Sequence, residues 1–303
     1  MKSSKLKNVV SFLVFAGPAV TVFFLVIILA FINGIQLTFT DWNGLSDTYQ
    51  YIGFRNYVDA FADTAFWTSL GRTFQYVICV VVFTNIIAFL IAYFLTRGYR
   101  GQGFFRVAFF TPNLIGGVIL GIVWKFVFSE VFVQLGRKYE IGIFKSNWLS
   151  SPDTAFLAMV VVAVWQLAGY LMLIYMAGII SVPKDVLEAA KLDGAVGFRG
   201  IRHIVVPLIM PSITIAAFMS VKTAFMAYDV NLSLTNGGPF QSTELVAMRV
   251  YNKAFQAEQY GVGQTEALIL FIIVAVISII QVSVPAKADH RGSFAGSDQI
   301  EAK

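Results

Sequence analysis

The most pointed chemistry in the sequence lies between residues 181 and 203. Ser181-Val182-Pro183-Lys184-Asp185-Val186-Leu187-Glu188-Ala189-Ala190-Lys191-Leu192-Asp193-Gly194-Ala195 reads as a helix with its punctuation. Pro183 suits a first turn, Asp185 complements the positive end of the helix dipole, and Gly194 supplies a left-handed terminator. Such a helix of about ten residues is roughly 15 Å long, too short to cross a bilayer and too short to be stable alone in water. It needs a surface. Ala189, Ala190, Gly194 and Ala195 make one end slim enough to enter a cleft in another protein, and Glu188 and Asp193 offer carboxylates to a partner's Arg or Lys. An amphipathic helix lying on lipid headgroups would carry the same features, and charge and spacing alone do not separate the two.

Chemistry of other kinds finds no constellation. The sequence has no GxxxxGK[ST] phosphate loop, no HExxH and no CxxC, and its two histidines are His203 and His290. No catalytic residue and no metal site is expected, so the chain reads as a non-enzyme. An ion-driven carrier would bury acids or bases near the bilayer midplane. Only Lys125 and Lys222 fall well inside an apolar stretch. Both sit toward its expected outer end, where snorkelling to the headgroups accounts for them. Cys79, the one cysteine, reads as a small core residue.

The elements that must position these residues are apolar. Of 303 residues 57% are hydrophobic and only 13% charged, and the mean hydropathy is +0.73. A soluble globule, a disordered chain and a disulfide scaffold are excluded, and lipid is the expected solvent. Stretches long enough to cross the hydrocarbon core occur at about 9–32, 73–96, 104–128, 154–180, 204–228 and 263–285. The expected fold is therefore an all-α integral membrane protein of six transmembrane helices. The first stretch is too long for a signal-peptide core and is read as a retained span. Pro18, Pro112, Pro207 and Pro211 predict kinks in the helices rather than their absence. Trp124 is expected as an interfacial anchor near the outer end of the third span. Thirteen Lys and Arg residues fall in the termini and two of the connecting segments when Arg106, at the head of the third stretch, is counted with them, against seven in the alternate set. This bias places both termini in the cytoplasm. The divisions are a cytoplasmic N-terminus at 1–8, a six-helix domain at 9–286 containing the inner loop 181–203, and a cytoplasmic tail at 287–303.

Glu188-Ala189-Ala190, then Gly194, then Ile204-Val205-Val206-Pro207 resemble the EAA signature of permease subunits in binding-protein-dependent ABC importers. Val206 stands where Leu is usual. Asp193-Gly194-Ala195 and Pro211, with Phe198 standing where Trp is common, look like the sugar-importer branch, as does the block Leu234-Thr235-Asn236-Gly237-Gly238-Pro239 with Thr243-Glu244, Tyr251, Ala254, Phe255, Tyr260 and Gly261. In the first outer loop, Phe39-Thr40-Asp41-Trp42 and Gly53-Phe54-Arg55-Asn56-Tyr57 fit too. The whole is similar to the maltose-F-subunit and glycerol-phosphate-A-subunit type.

The resemblance implies a type I ABC importer permease in a bacterial or archaeal cytoplasmic membrane. Its implied partners are a second permease, two ATPase subunits that bind the ATP and Mg, and an extracytoplasmic solute-binding protein. Glu188, Ala189, Ala190, Asp193 and Gly194 would form the coupling helix seated in the ATPase. The substrate would be a neutral sugar or oligosaccharide, with glycerol phosphate or another small polyol-type solute as the alternative. A pyranose has apolar faces and a polar rim, so its path calls for aromatics beside hydroxyls and amides. Trp165, Gln166 and Tyr170 of the fourth span and Ser220, Thr223 and Tyr228 of the fifth are the candidates. An interfacial aromatic belt and hydroxyls bonded to their own helix are the competing assignment for each. The Gly237-Gly238-Pro239 run is expected to turn the chain out of helix after the fifth span.

Overall fold

The computed structural model describes residues 2–297, with side chains for Phe12 and for 14–283. The side chains of Lys2, Lys5, Lys7, His290 and Arg291, and the tail from 298, lie outside the described residues. The α-helices in chain order are α1 Lys2–Phe23, α2 Leu29–Leu37, α3 Arg55–Ala62, α4 Thr64–Leu95, α5 Gln102–Phe110, α6 Gly117–Phe126, α7 Phe132–Lys138 and α8 Pro152–Ser181. After them come α9 Lys184–Leu192, α10 Gly197–Gly200, α11 Val206–Leu208, α12 Met210–Phe225, α13 Asp229–Leu234, α14 Val246–Tyr251 and α15 Tyr260–Ser297. Thr40 and Tyr51 form an isolated antiparallel bridge.

Five helical stretches are long and apolar enough to cross a membrane: Gly17–Leu37, Thr64–Leu95, Gly117–Lys138, Pro152–Ser181 and Tyr260–Ser283. A sixth is a pair, Gly197–Leu208 and Met210–Phe225, bent by 79°. Pro211 has no N–H to continue the ladder, and the chain bends at Ile209 between it and Pro207.

The third stretch departs from expectation. Helix α5 stops at Phe110, a 3₁₀ turn carries Pro112 over Thr111–Leu114, Ile115 is extended, and helix resumes only at Gly117. The apolar length that qualifies thus starts about a dozen residues later than 104. Trp124 moves with it: its ring meets that of Trp165 at 5.4 Å. Trp165 lies near the middle of the 30-residue α8, so Trp124, in the last turn of α6, packs against the middle of that helix.

The chain divides into two compact units, residues 1–66 with 249–270 and residues 67–248 with 271–303. In the first, the outer-loop motif residues are structural. Asn56, almost fully buried, donates to the carbonyls of Thr38 at 2.8 Å and Thr40 at 2.7 Å. The amide of Gly261 donates to the Trp42 carbonyl at 3.1 Å, and the Trp42 and Tyr260 rings meet edge to face at 4.8 Å.

The same unit holds an ionic cluster. Arg249 pairs with Asp63 and lies 3.4 Å from Glu266, whose side chain is wholly buried. Lys253 reaches Asp63 at 3.3 Å. Asp63 also opens α4, accepting the Ala65 amide at 3.0 Å. Partial burial pushes the Asp63 carboxyl up, but the Arg249 charge, the Ala65 amide and Lys253 together hold it below the ordinary carboxylate value.

In the second unit α8 is the axis. Helix α8 has no polar stripe, and the most buried of the apolar stretches is its own. Helix α12 packs along it, and α13 packs on α6. The last contact depends on a glycine: a Cβ at Gly121 would sit 1.9 Å from Ser233 Oγ. The TNGGP block closes a buried knot, in which Asn231 Nδ2 donates to Thr235 Oγ1 at 3.0 Å and the Thr243 carbonyl at 2.9 Å. Thr243 Oγ1 donates to the Gly238 carbonyl at 2.7 Å.

Candidate functional site: an exposed inner helix and a mixed cavity

The inner loop forms as its residues dictate. Helix α9 follows Pro183 and carries Asp185 in its first turn. It ends in a Schellman motif: the Ala195 amide donates to the Ala190 carbonyl at 2.8 Å and the Gly194 amide to the Lys191 carbonyl at 3.1 Å. Gly194 takes φ +75°, the left-handed value that the motif requires.

Ala190 turns inward and is buried, whereas Glu188, Ala189, Asp193 and Gly194 are exposed. Among the described residues neither Glu188 nor Asp193 has an ion-pair partner. Beside these carboxylates Leu192 is 90% exposed, and Phe198 and Val196 stand out as well. Carboxylates beside large uncovered apolar side chains, on a helix of nine residues, make a surface suited to a protein partner.

The second feature is a cavity of about 270 Å³. Two chain breaks form it: the one before α6 and the one between the end of α12 and the start of α13. Gln166 on α8, Thr223 on α12, and Tyr228 and Asp229 beyond it line the cavity, with Asn113 and Tyr76 completing the polar wall. Gln166 is held by donating Nε2 to the Ile115 carbonyl at 3.1 Å. Amide, hydroxyl, phenol and carboxylate on an otherwise apolar wall can satisfy a polyhydroxylated ring.

The six pathway candidates therefore divide. Gln166, Thr223 and Tyr228 share the cavity. Trp165 lines a separate apolar groove with Phe83, Phe109 and Pro112. Tyr170 is half-buried one turn past Gln166 and is not among the cavity's lining residues. Ser220 is wholly buried; it accepts from Asn85 Nδ2 at 2.9 Å and donates to the Ala217 carbonyl at 2.9 Å. Tyr175 donates to Asn85 Oδ1 at 2.8 Å on the other side. A single helical face from Ser220 to Tyr228 does not form, because α12 ends at Phe225 and Met226 turns the chain.

Asn113, Asp229 and Asn85 were not singled out from sequence. Asn113 follows Pro112 in an apolar run and Asp229 follows Tyr228, so a polar residue beside a helix break was the available signal for both. Asn85 had only its polarity inside an apolar stretch.

Residues 84–288 match the family model described as binding-protein-dependent transport system inner membrane component. The chain is 38% identical over 288 residues to the probable starch degradation products transport system permease protein AmyD of Thermoanaerobacterium thermosulfurigenes, covering 95% of this chain and 98% of that one. It is 31% identical over 255 residues to the multiple sugar-binding transport system permease protein MsmF of Streptococcus mutans, covering 84% and 88%. In fold it is similar to a chain of a bacterial ABC transporter involved in the import of the acidic polysaccharide alginate, with a TM-score of 0.79, 17% identity, and 94% and 98% covered. With its apolar helices and this match over most of its length, the chain belongs to the binding-protein-dependent transport system inner membrane components, as a multi-pass permease of the ABC importer type.

Proposed function

We propose that the chain is a permease subunit of an ABC importer for a neutral sugar or oligosaccharide, which passes through the cavity of Gln166, Thr223 and Tyr228. The observation that carries the substrate class is the cavity's wall, which mixes hydrogen-bonding and apolar groups and includes neither Lys nor Arg. A phosphate-bearing solute would need such cations, so the glycerol-phosphate alternative is disfavoured. The names of the relatives AmyD and MsmF point to sugars as well, and maltotriose is the first substrate to try.

Helix α9 is the coupling element, with Glu188 and Asp193 facing basic residues of an ATPase subunit and Leu192 and Phe198 covered on docking. ATP and Mg are held by two such ATPase chains. A second permease completes the pathway, and an extracytoplasmic binding protein delivers the sugar. Both termini lie in the cytoplasm. With Cys79 replaced, single cysteines at Lys191 are expected to be shielded from an impermeant outside reagent and those at Asp47 and Lys138 to label. Labelling at position 191 from outside would reverse the topology and remove α9 from the ATPase.

The cavity is tested by uptake into proteoliposomes carrying the complete transporter. Gln166→Ala and Tyr228→Ala each remove a hydrogen-bonding group worth about 0.5–1.5 kcal/mol, so uptake is expected to fall by up to about tenfold at unchanged complex yield. Trp165→Ala is expected to do less. Normal uptake in the first two with none in Trp165→Ala would move the path to the apolar groove.

A further inference from the structure

We propose that Asp229 determines specificity in the cavity, accepting hydrogen bonds from sugar hydroxyls and turning away sugars that carry a carboxylate. The proposal rests on the cavity being the sugar path. Of the lining side chains, Asn113, Gln166 and Thr223 are neutral amides and a hydroxyl, the rest are apolar or tyrosine, and Asp229 is the single carboxylate. Among the described residues it has no ion-pair partner, and it is exposed within its own chain.

Asp229 is also firmly placed. It opens α13, and its backbone carbonyl accepts Ser233 Oγ at 2.7 Å. A Cβ at Gly117 would come within 2.7 Å of Asp229 Cβ, so α13 packs closely on α6 at the root of this side chain. A carboxylate only accepts hydrogen bonds, and two vicinal sugar hydroxyls can donate to its two oxygens. A second carboxylate on the sugar has no donor to offer it. Two like charges about 5 Å apart at a protein surface repel strongly enough to weaken binding by at least about tenfold.

The test is equilibrium dialysis of radiolabelled maltotriose, and of maltotriose oxidised to a uronic acid at its terminal C6, against the purified complete transporter in lipid nanodiscs. The binding protein is left out, so its own preference plays no part. Wild type is expected to favour the neutral sugar by at least about tenfold, Asp229→Glu to keep that ratio, and Asp229→Asn to bring it near one. A ratio unchanged in Asp229→Asn, in a complex recovered at wild-type yield, would overturn the role of Asp229. Failure of wild type to hold either sugar, or any other neutral sugar that its binding protein takes up, would instead overturn the reading of the cavity as a sugar path.

Discussion

Replacing Arg249 with Met is expected to destabilise the protein by about 3–5 kcal/mol, read as a lower thermal midpoint of the purified complex in detergent. The size follows from where the charge goes missing. Asp63 keeps Lys253 at 3.3 Å and is partly open to solvent, so its loss is partly offset. Glu266 is wholly buried, and Arg249 is the cation that faces it at 3.4 Å. Its carboxylate is left without that charge in a medium where ions are costly. The double variant Arg249→Met, Glu266→Gln is expected to recover at least half of the loss, because the amide carries no charge to strand. Lys253→Met, at a site still partly in water, is expected to cost only about 1 kcal/mol. A single Arg249→Met variant as stable as wild type would mean that the cluster is incidental to the fold.

Reversing the charge at Glu188 is expected to abolish coupled transport while the chain still inserts. If the carboxylate is desolvated against a basic group of the ATPase, Glu188→Lys removes an attraction and adds a repulsion, weakening docking by at least about 100-fold. Gly194→Val acts by a different route. At φ +75° a β-branched residue is strained, the Schellman turn opens, and the exit of α9 shifts. Both variants should lose co-purifying ATPase. Glu188→Lys complexes that assemble and transport at the wild-type rate would exclude α9 as the coupling element.

Local features were legible in sequence and non-local ones were not. The start of α9, its Asp185 and its Gly194 terminator could be read because a short helix is punctuated by residues within a turn of its ends. The apolar character of five or six stretches could be read from hydropathy because lipid demands about 20 apolar residues whatever the tertiary structure. Hydropathy could not show where a break falls. The run 104–128 looks continuous, yet Pro112 ends one helix and the next waits for Gly117. That shift carried Trp124 from a supposed rim position to the Trp165 ring. The cavity arises at just such breaks, so residues assigned by helical spacing separated: Ser220 went into the core with Asn85, and Thr223 went to the cavity. Arg249 and Asp63 are 186 positions apart, and no local pattern announces their pairing.

Uptake of labelled maltotriose by proteoliposomes containing this chain, its second permease and its ATPase subunits tests the central claim most directly. Uptake is expected only with the solute-binding protein outside and ATP with Mg inside, and an imposed proton or sodium gradient should leave it unchanged. Uptake that runs on such a gradient without ATP would contradict the claim and make the chain an ion-coupled carrier.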